Sequence, residues 1–169
     1  MENINELLNE VEGIRRKLNE EYELREKLHL KIREIQRLCG EAISQIQQGK
    51  IDQAKERILI VEDKMEKELI GNLEEINEAY NMMLQEYVEA KALLKIEEEG
   101  RIPTLKELKT TERAYILGLV DLMGELKRRI ITHLINEEID QAKIKMEIVK
   151  QLFQALEVLE YPRSLIPGL

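Results

Sequence analysis

The sequence predicts an all-α protein, a bundle of long antiparallel helices with no sheet. Three observations carry that prediction. Across 169 residues there are only 8 Gly and 3 Pro, with 43% hydrophobic and 36% charged residues, a profile of long elements and few turns. Aromatic residues make up 4% and Trp is absent, so Leu, Ile, Met and Ala must fill the core, as in helix bundles. Apolar residues recur at three- and four-residue steps, and strand-type alternation is missing throughout. The length suits a single domain over residues 1–169.

The first segment, Asn5 to Gln48, is periodic in Leu7, Leu8, Val11, Ile14 and Leu18, then in Leu24, Leu28, Ile32, Ile35, Leu38, Ala42, Ile43 and Ile46. It reads as one very long helix or two joined near Asn19, stopped at Gly49. Asp52 opens a second helix with Ala54, Ile58, Val61, Met65 and Leu69 on its apolar face, closed by Gly71-Asn72. A third runs from Leu73 to Glu99 and is apolar around more than half its circumference, which suits a central position. Gly100 to Thr104 breaks it. Thr104 is placed to cap a short helix, Leu105 to Leu108, and Thr110 or Thr111 to cap a long one ending near Ile135. The last helix covers Asp140 to Leu159, before Tyr161-Pro162. Ile-Asp-Gln-Ala-Lys occurs at 51–55 and at 139–143, in both places where a helix begins. Asp is favoured near a helix N-terminus, so helix-start chemistry explains the repeat better than duplication does.

A net charge of −8 argues against general coating of nucleic acid, though not against a local basic groove. One cysteine, Cys39, excludes an intrachain disulfide framework and is expected to pack as a small hydrophobe. No apolar run approaches the ~18 residues of a membrane span, and the charged start lacks a signal-peptide core. The expectation is a cytoplasmic protein with no membrane association.

Two acidic pairs at helical spacing carry the functional information: Glu86-x-x-Glu89 and Asp121-x-x-x-Glu125. Residues three or four apart lie one above the other on a helix face. Glu86 and Glu89 share a stripe with Ala79, Met82, Met83, Ala90 and Leu93 that should face other helices. A buried carboxylate needs a cation, a proton or a partner. Four carboxylates from two helices make an oxygen-rich cage suited to Mg2+ or Mn2+. Gly118 and Gly124 flank Asp121 inside the helix, at about 1 kcal/mol each relative to Ala. With Ala114, Glu125, Arg128 and Thr132 they form a face distinct from the stripe Ile116, Leu119, Met123, Leu126, Ile130 and Leu134, read as the core side. The missing side chains let a hydrated metal or a neighbouring backbone come close. The bland alternative is helix packing at the glycines, with the acids in structural ion pairs, Lys91 or Lys95 serving the first pair and Arg128 the second.

The segments Leu84-Gln85-Glu86-Tyr87-Val88-Glu89-Ala90 and Ala114 to Arg128, with Leu24-Arg25-Glu26-Lys27 in the first helix, resemble the translin family. The chain is more similar to translin-associated factor X than to translin itself. The resemblance implies an all-helical fold and a hollow homo-oligomer, typically an octamer, with mixed assembly alongside translin-type subunits as a further arrangement. It also implies that RNA, single-stranded or short and structured, or single-stranded DNA, binds inside. Factor X subunits are Mg2+-dependent endoribonucleases, and by position Glu86, Glu89, Asp121 and Glu125 would be the catalytic, metal-holding acids. Family members continue into a further C-terminal helix that Ser164 to Leu169 does not supply.

On that reading Glu86, Glu89 and Asp121 are direct ligands, Glu125 is a ligand or the base that orients water, and Arg128 contacts the phosphate. Arg25, His29, Arg33 and Arg37 form a stripe on the first helix, and Lys127-Arg128-Arg129 a second cluster. Such residues give salt-dependent RNA affinity without base specificity. Interspersed Glu23, Glu26 and Glu34 allow the plainer reading of a solvated face. His133, near a helix end, is expected to be structural. Two other functions compete: a non-catalytic single-stranded RNA- or DNA-binding module, and an all-α nucleotide pyrophosphohydrolase. The second lacks its usual Glu-Glu-x-x-Glu spacing here.

Overall fold

The computed structural model describes residues 2–68 and 77–159. Six helices follow in order: α1 (Glu2–Gln47), α2 (Ile51–Glu68), α3 (Asn77–Glu99), α4 (Leu105–Leu108), α5 (Glu112–Ile135) and α6 (Ile139–Glu157). No strand occurs among the described residues. The expected features at Leu69, Gly71, Asn72 and Leu73, and the stop at Tyr161-Pro162, lie outside them.

α1 is one continuous helix of 46 residues, with Asn19 in its interior and no joint there. It stops where expected. Gly49 takes a φ of 75°, its N–H donates to the Ile46 carbonyl at 2.9 Å, and the Lys50 N–H reaches the Gln45 carbonyl at 2.8 Å. This paired closure needs a left-handed residue, which glycine adopts at no steric cost. The chain then reverses, and α2 returns along α1 through Glu41–Arg57 at 3.3 Å and Glu34–Lys64 at 3.2 Å. The repeated Ile-Asp-Gln-Ala-Lys opens both α2 and α6, and its alanines, Ala54 and Ala142, are buried in both.

Thr104 caps α4 with a reciprocal box: its hydroxyl accepts from the Glu107 N–H at 3.3 Å, and the Glu107 carboxylate accepts from the Thr104 N–H at 2.7 Å. Thr111, rather than Thr110, caps α5, accepting from the Ala114 N–H at 3.2 Å. Between α5 and α6 Glu137 adopts a φ of 60°, and the Glu138 N–H closes on the His133 carbonyl at 2.8 Å. His133 is buried with its Nδ1 2.5 Å from Glu138, a structural placement.

α3 is central, as its apolar circumference predicts. Met83, Leu84, Tyr87, Val88, Ala90, Leu93, Leu94 and Ile96 are all buried, in one contiguous core with α1, α2, α5 and α6. Its contacts rise together along α5: Asn81 with Thr111, Val88 with Gly118, Glu97 with Arg129. Helices α3 and α5 therefore run parallel, with α4 in the connection, while the α1–α2 hairpin is antiparallel. A buried ion network joins α3, α5 and α6, with Glu97 taking Arg129 at 3.1 Å and Lys145 at 3.4 Å.

The α5 packing face differs from the expected stripe. Leu119, Leu126 and Ile130 are buried, but so are Ala114, Gly118 and Leu122, whereas Leu134 is half exposed. The reason is that α5 packs against α3 and α6 at once, which widens its buried arc. The two glycines separate accordingly. A Cβ on Gly118 would lie 2.6 Å from the Val88 Cβ and 2.7 Å from the Gln85 carbonyl oxygen, whereas a Cβ on Gly124 would meet nothing within 4 Å. Gly118 admits a neighbouring helix. Gly124 faces open space.

Gly118→Ala should therefore lower stability by about 1–3 kcal/mol through overpacking. Gly124→Ala should gain up to about 1 kcal/mol of helix propensity. Urea unfolding of both variants checks the pair, and equal effects at the two positions would contradict this packing.

Candidate functional site

The parallel run of α3 and α5 brings the two acidic pairs together, and α1 borders them. Each of three acids takes an uncharged amide donor. Glu86 accepts from Gln36 Nε2 at 2.8 Å, Glu125 from Gln47 Nε2 at 2.8 Å, and Asp121 from Gln85 Nε2 at 2.5 Å. Gln47 also donates to the Glu125 backbone carbonyl at 3.1 Å, which fixes α1 to α5 at this level. Gln36 and Gln47 are eleven residues apart, three helical turns, and so share a face of α1. Sequence reasoning passed over all three glutamines. Their signal was modest: two amides on the bundle-facing side of a helix otherwise packed with Ile, Leu and Ala.

Glu89 is different. It is half-buried and has no hydrogen-bond or ion-pair partner among the described residues. Burial, followed by the charges of Asp121, Glu125 and Glu86, pushes its carboxyl up to about 8, and Arg128 only partly offsets this. Burial also raises Glu86, with the Gln36 hydrogen bond opposing and Asp121 adding to the shift. The Cys39 thiol beside them is held up to about 12 by burial and by Glu86 and Glu89, so it is inert and packs as expected. The lysines proposed as structural partners for the first pair go elsewhere: Lys91 pairs with Glu62 at 2.8 Å, and Lys95 with Glu99. Met82, expected on the same inward stripe, is instead 54% exposed, because the stripe opens to solvent at this side of α3.

The donor set matches a hard divalent cation: carboxylate oxygens in mutual repulsion, one of them without a partner in the protein. The Gln47 Oε1 beside Glu125 is buried and also without a partner, an oxygen donor left over at the site. The acids are nonetheless spread among their amides. Among the described residues, no group of three or more His, Cys, Asp or Glu is arranged to hold an ion. A cavity of about 410 Å3, lined by Glu62, Met65, Tyr80, Tyr87 and Leu108 among others, includes none of the four acids.

The basic residues separate into three groups. Arg128 is 66% exposed on its side chain and lies 3.4 Å from Glu125, so its guanidinium faces both the acids and solvent. Lys127 and Arg33 are exposed. At about 100° per residue, Arg25, His29 and Arg33 share the α1 face that carries Gln36 and Gln47. Arg37, one turn beyond Arg33 and about 40° farther round the helix, pairs with Glu41, which also takes Arg57 of α2. Arg129, grouped by sequence with Lys127 and Arg128, is buried in the Glu97 network.

The model of the Translin family matches residues 4–165. An uncharacterised protein of Methanocaldococcus jannaschii is 29% identical over 141 residues, covering 82% of this chain and 64% of that protein. The chain thus spans less than two thirds of that relative's length. Among solved structures, the AfC3PO–duplex RNA complex matches with a TM-score of 0.82 and 27% identity, covering 94% of this chain and 84% of that chain. The crystal structure of AfC3PO gives 0.81 and 28% over the same shares. That of apo-NeC3PO gives 0.69 and 21%, over 90% and 83%, a likeness of fold.

Because the folded protein holds the Glu89 proton up to about 8, from an ordinary 4.5, its stabilising share is complete below pH 4.5 and is lost as pH rises through 8. Glu89→Gln should therefore raise the Tm of metal-free protein at pH 8.5 by roughly 2–6 °C and leave it nearly unchanged at pH 4.5. Calorimetry in EDTA at the two pH values checks this, and an equal gain at both would exclude a perturbed Glu89.

Proposed function

The chain belongs to the translin family, and from that premise we propose that it is an RNA-binding subunit that cleaves RNA internally with Mg2+ or Mn2+. The observation that carries the reading is the cluster of Glu86, Glu89, Asp121 and Glu125, assembled from two parallel helices with one acid left unpartnered. The similarity to AfC3PO, whose structure is known with duplex RNA, supports RNA as the polymer bound.

Glu86, Glu89 and Asp121 would hold the cation, and Glu125 would hold it or orient the attacking water. A divalent ion bound there would supply Lewis acidity, lowering the pKa of water and neutralising phosphate charge. The remaining work belongs to side chains in place. Gln36, Gln85 and Gln47 hold three of the acids in position without adding charge. Arg128 offers a guanidinium to a phosphate at the rim. Arg25, Arg33, Lys127 and Arg128 would track the backbone, with Arg37 at the margin, and His29 shares their face. Such contacts carry no base specificity. The same reading includes a homo-oligomer, octameric in its full form, mixed assembly with a translin-type subunit, and work in the cytoplasm. Among the described residues no helix is long and apolar enough to cross a membrane.

One observation favours a second reading, a module that binds RNA without cutting it: the acids stand tied to amides rather than drawn in to metal distances.

Labelled single-stranded RNA and a nucleoside triphosphate, each with Mg2+ or EDTA, separate the readings. Internal RNA cleavage should occur with Mg2+, vanish in EDTA, and fall about a hundredfold or more in Glu89→Ala. Binding without cleavage under every condition would leave the module. Triphosphate hydrolysis with intact RNA would point to the pyrophosphohydrolase chemistry instead.

A further inference from the structure

Gln47 ties the end of α1 to the acid cluster and leaves one of its two polar atoms unused. Its Nε2 donates twice to one residue of α5, to the Glu125 carboxylate at 2.8 Å and to the Glu125 backbone carbonyl at 3.1 Å. Both partners only accept, so the amide cannot be turned over without setting its oxygen against two other oxygens. The orientation is thereby fixed, and Oε1 is left buried with no hydrogen-bond partner. A buried carbonyl oxygen without a donor is costly and uncommon. Among the described residues four side-chain atoms share that condition, on Gln45, Gln47, Thr110 and His133, and Gln47 alone is bonded to an acid of the cluster.

Spare oxygens recur through the cluster. Glu86 gives Oε1 to Gln36, Asp121 gives Oδ2 to Gln85, and Glu125 gives Oε2 to Gln47. Each of these carboxylates keeps its other oxygen without a partner among the described residues, and Glu89 keeps both. The oxygen and nitrogen of an amide share one carbon, so Gln47 Oε1 lies within about 5 Å of the Glu125 carboxylate. Two features favour a positive occupant there. Gln47 is the last residue of α1, where the partial negative charge of the helix C-terminus falls. Hard divalent ions take amide carbonyl oxygens alongside carboxylates, and a neutral donor adds no fifth charge to four acids.

We propose that Gln47 Oε1 is an oxygen ligand of the divalent cation in the proposed cleavage site, which this role presupposes, and is the contribution of α1 to a shell otherwise drawn from α3 and α5. Gln47 then has two tasks, one for each polar atom: Nε2 fixes Glu125, and Oε1 meets the ion. Gln36 has only the first.

Mn2+ binding to the full chain tests this apart from cleavage, by titration calorimetry and by loss of the free-ion electron paramagnetic resonance signal. Gln47→Leu should weaken Mn2+ binding about tenfold. Gln36→Leu, which removes a donor but no orphaned oxygen, should weaken it clearly less. Gln47→Glu keeps the question open should Gln47→Leu loosen α1 from α5, because it loses the donor yet returns an oxygen. Gln36→Glu adds the same charge elsewhere in the cluster, so Gln47→Glu should bind Mn2+ more tightly than Gln36→Glu. Gln47→Leu no weaker than Gln36→Leu, or Gln47→Glu no tighter than Gln36→Glu, would overturn the role. Glu89→Ala separates the premise. Mn2+ binding indifferent to Glu89→Ala would remove the cation site and Gln47 with it, whereas binding that needs Glu89 but not Gln47 would remove Gln47 alone.

Discussion

The close approach of α5 to α3 at Gly118 sets the geometry on which the rest depends. Val88 and the Gln85 carbonyl occupy the space where any other residue would carry its Cβ. The two helix backbones can therefore run side by side and parallel, and that is what places Asp121 and Glu125 beside Glu86 and Glu89. A methyl group at this point would separate the helices and spread the acids. The helix-propensity penalty of an interior glycine is small beside what the contact organises.

The fold handles the carboxylates between its helices in two ways, with Asp121 of the cluster exposed and Glu86, Glu89 and Glu125 partly buried. Glu97 is neutralised by Arg129 and Lys145, two buried cations that lock α3, α5 and α6 together. The four clustered acids receive no comparable cation. They receive amides from Gln36, Gln47 and Gln85, which orient an oxygen but leave its charge in place. The charge that Arg128 brings is largely in solvent and correspondingly screened. Burial first, and then repulsion from the other three acids, push the carboxyl of Glu89, the acid without a partner, up to about 8. A structural network would relieve that repulsion. The cation proposed for this cluster would relieve it from outside the chain.

Much of this was legible in the residues. Helix order, the stop at Gly49, the capping threonines and the central position of α3 all follow from local stereochemistry and from how far apolar residues extend around each helix. The first acidic pair was legible because a carboxylate on an apolar stripe conflicts with burial wherever the stripe faces, and the second because two interior glycines flank Asp121. Arg129 was misgrouped with Lys127 and Arg128, because consecutive residues on a helix point 100° apart and adjacency in sequence says nothing about shared surroundings. Arg37 lies one turn beyond Arg33, and its ion pair with Glu41 is a matter of the local fold rather than of spacing. The glutamines were hidden because an amide is equally at home in solvent and against a carboxylate.

The sequence by itself determined the helices, the ends at Gly49, Thr104 and Thr111, and the family, since these rest on periodicity, turn chemistry and contiguous motifs. Tertiary structure decided which helices run parallel, which of two similar glycines is a contact, and which acid is left without a partner. Those outcomes depend on pairs of residues 30 or more positions apart, such as Val88 with Gly118 and Gln47 with Glu125. Helical periodicity fixes where a side chain points around its own axis, but not what stands opposite. Only the packing of one helix against another supplies that.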